Sequence, residues 1–252
     1  MQNKKIILLA SDCESSKWLY NAIKKDFNVE MVIIETPLSK KILFKRRIKK
    51  IGLLKVLGQT LFSLVIVPIL KQLSKKQRNL LINKYQLIDT DFDGYCTKKV
   101  LSINNNECKE LLQKIEPDIV LVNGTRIISK KILDSTKAIF VNMHVGITPW
   151  YRGSHGGYWA LYNNDAKNFG TTIHLIDTGV DTGAIIEQAF TVPHKADNFT
   201  TYPIVQAAIG INTLTKVLPK IISNNFQVVQ NTEKGEMYYQ PTLWEYFTNK
   251  TK

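Results

Sequence analysis

Four strand-length apolar runs limit what this chain can become. Lys5–Ala10 (KIILLA), Val29–Glu35 (VEMVIIE), Asp118–Val122 (DIVLV) and Ala138–Met143 (AIFVNM) are rich in Ile, Val and Leu, and the third is apolar throughout after its Asp. A strand that is apolar on both faces needs cover on both faces, which is the situation of a parallel sheet with helices above and below. Amphipathic segments sit between the runs. Ser15 or Ser16 is expected to cap a helix whose Trp18, Leu19, Ala22 and Ile23 recur with a period of 3.6, and Asn105–Ile115 places Leu111, Leu112 and Ile115 on one face. Strand, helix and strand at this spacing form a right-handed βαβ unit. The first turn, SDCESS, has no glycine, so no dinucleotide fingerprint is present.

Later segments complete the expected architecture. Thr97–Ile103, Thr171–Ile176 and Ala184–Thr191 read as strands, the last two joined by DTGVDTG, and Tyr158–Tyr162 and Phe199–Ser223 as helices. The loop VGITPWYRGSHGG is too rich in Gly, Pro and aromatic residues for regular structure, and the tail FQVVQNTEKGEMYYQP is expected to be a hairpin turning at Glu233-Lys234-Gly235. The fold class is therefore α/β: a Rossmann-like, mostly parallel sheet with a small C-terminal β-hairpin appendage. The expected division is a catalytic domain over 1–196, carrying a helical insertion at about 38–88, and a C-terminal helix and hairpin over 197–252.

The insertion carries the whole net charge of +13. Between Thr36 and Ile88 there are 13 Lys and Arg and no acid, and the remaining 21 basic residues balance all 21 acidic ones. KKILFKRRIKK is followed by a nearly apolar run to Leu70 and then by KQLSKKQR. The run has the length of a membrane span, but Lys55, Gln59, Gly52, Gly58 and Pro68 weaken that reading. A helical insertion packed on the domain is preferred, ahead of a basic amphipathic element lying on a membrane surface. The charge itself calls for an anionic partner, lipid headgroups or nucleic acid, or for a plain solvated face. The odd set of cysteines, Cys13, Cys96 and Cys108, forms no CxxC pair, and the N-terminus shows no signal-peptide cleavage pattern. A cytoplasmic location, peripheral at the membrane if the insertion docks there, is the expectation.

The chemistry concentrates in two stretches, VNMHVGITPWYRG (Val141–Gly153) and FGTTIHLIDTGVDTGAIIEQ (Phe169–Gln188). Asn142 and His144, two apart at a strand end, point the same way. Asp181 leaves a β-type run in a Gly-flanked turn, and Gly124 sits beyond the carboxyl end of a strand, where ligands bind in open α/β sheets. An amide donor can stabilise a developing oxyanion, an imidazole can take a proton from an attacking amine, and a carboxylate can stabilise the imidazolium. No Ser, Cys or Lys nucleophile is paired with the histidine, so acyl transfer without a covalent intermediate fits. Ordinary hydrogen bonding at a strand end fits the same residues. His155 and His174 read as structural.

These two stretches closely resemble the formyltransferases that use 10-formyltetrahydrofolate, strongly over Asp118–Gln188 and not over the insertion or tail. The resemblance implies catalytic roles for Asn142, His144 and Asp181. It also implies a folate site against Gly124, Thr125, Arg126 and Ile127 and the loop Thr178, Gly179 and Val180, with no metal. Tyr151, Arg152 and Gly153 would shape the substrate loop over it, or brace it. Within the family, methionyl-tRNA enzymes carry a further C-terminal β-domain, whereas some sixty residues follow Gln188 here. Glycinamide ribonucleotide enzymes have a Gly-rich first turn, from which SDCESS departs. The expectation is therefore a short sugar-nucleotide N-formyltransferase, a homodimer acting on a nucleotide-linked amino dideoxy sugar for surface polysaccharide such as O-antigen. The specific candidate is dTDP-4-amino-4,6-dideoxyglucose, with methionyl-tRNA and glycinamide ribonucleotide as the alternatives.

Overall fold

The computed structural model describes residues 4–233 and 235–248. In chain order its strands are β1 (Ile6–Ser11), β2 (Val29–Glu35), β3 (Thr97–Val100), β4 (Ile119–Asn123), β5 (Ile139–His144), β6 (Tyr151–Gly153), β7 (Gly170–Leu175), β8 (Ile185–Phe190) and β9 (Glu236–Tyr238). Seven of them make one sheet in the order β3-β2-β1-β4-β5-β7-β8. The five from β3 to β5 run parallel, and β7 and β8 are added antiparallel. Alternate residues of β1 feed opposite sides. Ile6 and Leu8 join one apolar layer with Trp18, Leu19 and Leu218, while Ile7 and Leu9 join the other with Cys108 and Leu112. A wholly apolar central strand is the direct result of that double cover.

The helices are α1 (Glu14–Ile23), α2 (Lys40–Ile51), α3 (Leu53–Leu61), α4 (Val67–Leu73), α5 (Lys75–Lys84), α6 (Asn106–Ile115), α7 (Lys130–Leu133), α8 (Gly156–Tyr162), α9 (Tyr202–Ile222) and α10 (Leu243–Thr248), with a π turn over Phe62–Ile66 between α3 and α4. Helix α1 starts two or three residues earlier than its serines imply, with Cys13 at the N-cap and no side-chain cap bond. Ser15 and Ser16 instead contact the Cys13 sulfur at 3.3 Å. Strand β3 stops at Val100, short of Ile103.

Three differences in the C-terminal third matter for the site. The Gly- and Pro-rich loop after β5 contains β6, which hydrogen bonding from the tail makes regular. A two-stranded sheet does close the tail, but β9 pairs parallel with β6 and forms no hairpin with its own neighbour; of the expected turn, Lys234 lies outside the described residues. The first half of the tail goes elsewhere, with Val229 bridging Ile185 by two 2.8 Å backbone hydrogen bonds. Finally, α9 is no appendage. Its Ile204, Ile211, Leu214 and Leu218 belong to the main apolar layer, because a 21-residue helix with an apolar face has the sheet to bury against.

Helix α9 approaches the sheet closely. A Cβ at Gly210 would stand 2.6 Å from Thr171 Cγ2 and 2.8 Å from Met143 Sδ. Gln206 Nε2 donates to the Gly170 carbonyl at 2.6 Å, and Thr171 Oγ1 donates to the Gln206 carbonyl at 2.8 Å. Gly210→Val is expected to lower stability by about 2 kcal/mol through overpacking, read from urea unfolding. An unchanged midpoint would mean that the helix is not seated this closely.

Candidate active site

Strand alternation sends Asn142 and His144 off the same side of β5, and antiparallel pairing sets His174 of β7 opposite Asn142. Asp181 arrives from the β7–β8 connection at φ +52°, a left-handed conformation that aspartate tolerates better than most residues. Its Oδ2 accepts from the Gly153 backbone N–H at 2.8 Å and lies 3.4 Å from His144 Nδ1. Its Oδ1 lies 3.4 Å from Asn142 Nδ2 and 3.6 Å from His174 Nε2. The sequence separates these groups by up to 39 residues, and one carboxylate gathers them.

The Asp181 side chain is only 13% exposed. Burial opposes its ionisation, but the neighbouring His144, the His174 contact and the Gly153 N–H outweigh burial and hold the carboxyl at about 2. The imidazole roles follow from the partners. His144 Nε2 lies 2.7 Å from the Tyr151 carbonyl, which can only accept, so Nε2 carries the hydrogen and Nδ1 faces Asp181. His174 Nδ1 donates in the same way to the Leu175 carbonyl at 2.7 Å, which leaves Nε2 to accept from Asn142 Nδ2 at 3.1 Å. Both hydrogens of the Asn142 amide are thus engaged. Donation to a substrate oxygen requires one to change partner, and the 3.4 Å contact with Asp181 is the weaker.

His174 reads as structural in the sequence, and the structure makes it the group that orients Asn142. The signal was its strand position, one residue before the end of β7. Gly146 was also missed: a Cβ there would overlap both His144 Nε2 and the Tyr151 carbonyl, so only glycine leaves room for their bond. His155, half-buried at φ +59° with its ring 4.5 Å from Phe199, is held at about 4 by desolvation and stays neutral at pH 7.

The network opens on a cleft of about 820 Å³. One wall is the segment after β4, Gly124, Thr125, Arg126, Ile127 and Ile128, with Gly179 and Val180; Thr178 does not line it. Arg126 offers backbone only. Its guanidinium donates to the Thr36 and Leu101 carbonyls and lies 3.4 Å from Glu35, whose other oxygen accepts the Arg126 N–H. The cleft is also lined by parts of the chain that the resemblance left unassigned: Lys50, Lys71 and Arg78 of the insertion, and Met237, Tyr238 and Tyr239 of the tail. Arg78 pairs with Glu14 at 3.1 Å, so one of the two acids of the first turn is paired from the insertion. Of the expected substrate loop, Gly153 reaches the cleft. Tyr151 and Arg152 brace it instead, the tyrosine hydroxyl on Asp165 at 2.9 Å and the arginine on the Gly235 carbonyl at 2.6 Å.

Residues 70–203 match the profile of a protein family described as formyl transferase, which is more than half of the chain. A methionyl-tRNA formyltransferase of Trichormus variabilis is 33% identical over 135 residues, 53% of this chain and 40% of that protein. The chain spans less than half the length of the curated relatives it matches. Among solved structures, a phosphoribosylglycinamide formyltransferase of Anaplasma phagocytophilum superposes with a TM-score of 0.59 at 17% identity, covering 94% of this chain and 98% of that one. A formyltransferase of Anoxybacillus kamchatkensis, solved with UDP-4,6-dideoxy-4-formamido-L-AltNAc and tetrahydrofolate, superposes with a TM-score of 0.51 at 18% identity, covering 93% and 85%. At these identities the superpositions speak for a shared fold.

The depressed Asp181 carboxyl stabilises the folded chain above pH 3.8, its ordinary value, and that stabilisation is lost as pH falls toward 2. The stability difference between the native chain and Asp181→Asn is therefore expected to be constant from pH 7 to pH 5 and to shrink by about half by pH 3, read from urea midpoints. A difference independent of pH would mean that Asp181 is not held ionised by this network.

Proposed function

The chain belongs to the formyl transferase family, and on that premise we propose that it moves a formyl group from a 10-formyl reduced folate to the amine of a phosphorylated small molecule, a nucleotide-linked amino sugar. The observation that carries the acceptor class is the lining that the insertion and tail give the cleft. Lys50 and Lys71 supply cations for a diphosphate; Lys50 lies over the Tyr239 ring at 5.4 Å, and Tyr238, already stacked on Tyr151 and Trp159, lines the same cleft. The nucleotide-sugar ligand solved with the Anoxybacillus kamchatkensis protein agrees with that chemistry. A dTDP-linked 4-amino-4,6-dideoxy sugar, consumed in surface polysaccharide synthesis, remains the specific candidate.

A folate fits the first wall. Peptide groups at Gly124–Ile127 and apolar side chains at Val122, Ile128 and Ile176 suit a flat heterocycle with polar edges, and Gly124 at φ +71° brings backbone close where a Cβ would strike Ser11. The bound folate supplies a formyl carbon made electrophilic by its attachment to nitrogen. His144 Nδ1 takes the proton that the acceptor amine loses as its nitrogen bonds to that carbon, and a proton returns to the folate nitrogen as its bond to the carbon breaks. Asp181, 3.4 Å away, stabilises the resulting imidazolium, whose Nε2–H is already held by the Tyr151 carbonyl. Asn142, oriented by His174, donates to the formyl oxygen as charge builds there.

The 33% identity to a methionyl-tRNA formyltransferase favours one other acceptor, an aminoacyl-tRNA gripped by the basic insertion. Incubating the protein with 10-formyltetrahydrofolate and a panel of amino-sugar nucleotides, glycinamide ribonucleotide and methionyl-tRNA separates these readings by the formyl mass increment. Transfer to an amino-sugar nucleotide is expected. Transfer to methionyl-tRNA with a steep salt dependence, and to no sugar, would overturn the acceptor assignment. His144→Ala and Asp181→Asn are each expected to lower kcat by about 100-fold or more while folate binding persists in a titration. Near-native turnover in Asp181→Asn would remove the carboxylate from the chemistry.

A further inference from the structure

The insertion turns one side to the protein and another to solvent, and both are apolar. Along the run Leu53–Leu73, the inner side carries Val56, Gln59 and Phe62, all buried. Phe62 packs edge-on against Phe199 at 4.8 Å and lies 5.1 Å from Tyr246, and Gln59 Nε2 donates to the Gln240 carbonyl at 2.6 Å. The outer side carries Leu54, Leu57, Leu61, Leu64, Val65 and Ile69 at spacings of three and four, all exposed, with Leu54 at 77% and Leu64 at 71%. A soluble surface helix normally turns charge to that side. This stripe is a contiguous apolar surface of the kind that marks an interaction site.

Helix α2 supplies charge beside the stripe. None of its residues is buried. At 100° per residue, Lys40 and Arg47 fall among Leu43, Phe44, Ile48 and Ile51, and Ile42 falls among Lys45, Arg46 and Lys49, so cations surround the helix. With 13 cations and no acid between Thr36 and Ile88, the surroundings of the stripe are cationic throughout.

We propose that the outer face of the insertion docks the protein on an anionic membrane surface, with the leucine stripe entering the acyl boundary and the lysines and arginines of α2 that lie outside the cleft contacting lipid headgroups. Nucleic acid would use the cations but gives exposed leucines nothing to bury against. A second copy of the chain would bring the same cations and no acids to meet them. Anionic lipid answers both features. The run, 21 residues with a mean hydropathy of 2.0, is long and apolar enough to cross a bilayer, but its inner side is committed to Phe199, Tyr246 and Gln240, so it lies on the surface. This inference is independent of the acceptor proposed above, because its readout is binding.

The test is co-sedimentation of the intact chain with vesicles of phosphatidylcholine alone and with roughly a third phosphatidylserine. Binding to the anionic vesicles at least about tenfold tighter than to neutral ones is expected, weakened by salt. Leu54→Glu combined with Leu64→Glu, both on the outer face, should abolish it while leaving the circular dichroism spectrum and unfolding midpoint unchanged. Absence of vesicle binding overturns the proposal, as does vesicle binding that survives both glutamates. Size-exclusion chromatography showing a dimer that the double variant dissociates, without vesicle binding, would assign the stripe to a second copy. Retention of bulk tRNA by both proteins, without vesicle binding, would assign the cations to nucleic acid.

Discussion

The carboxylate of Asp181 is the common partner of groups from three strands. It reaches His144 and Asn142 on β5, His174 on β7 and the backbone of Gly153 on β6. A carboxylate this buried would be costly without partners, and the groups around it are what keep it charged. The cost of burying it and the order of the site are therefore the same fact. The network that makes the ion tolerable is also the one that fixes which nitrogen of each histidine carries a hydrogen. Removing any partner disturbs the others, since Asn142 is shared between His174 and Asp181, and His144 between Tyr151 and Asp181.

Much of this was legible beforehand, for identifiable reasons. Uninterrupted apolar runs such as Ile119–Val122 can only be central strands, and the two-residue spacing of Asn142 and His144 is a direct consequence of strand geometry. What escaped were relations across the chain. His174 looks like any histidine in a strand until β7 pairs with β5 and sets it against Asn142. Arg126 and Arg152 look like ligand contacts until their carbonyl partners, at positions 36, 101 and 235, are known. Tail residues that alternate like a hairpin went to two different partners, because β6 and Ile185 each offered an open backbone edge. Local pattern constrains a segment's own conformation and says little about which edge it will find.

The cleft is lined from both inside and outside the family match. The Asn142–His144–Asp181 network and the segment after β4 lie within the matched residues 70–203, which also take in Lys71 and Arg78 of the insertion. Lys50 and the tail residues Met237, Tyr238 and Tyr239, which line the same cleft, lie outside that match.

The pairing of β6 with β9 has a consequence for biosynthesis. The loop that positions the Tyr151 carbonyl under His144 is clamped by residues made more than 80 positions later, with the Arg152 guanidinium held by the Gly235 carbonyl and the strands paired from Glu236 onward. On the ribosome, the sheet and its histidines emerge and can pack first, while the loop still lacks its clasp. The nascent chain thus carries Asn142, His144 and Asp181 well before it can hold the loop beside them, which waits for Glu236–Tyr238 to be made.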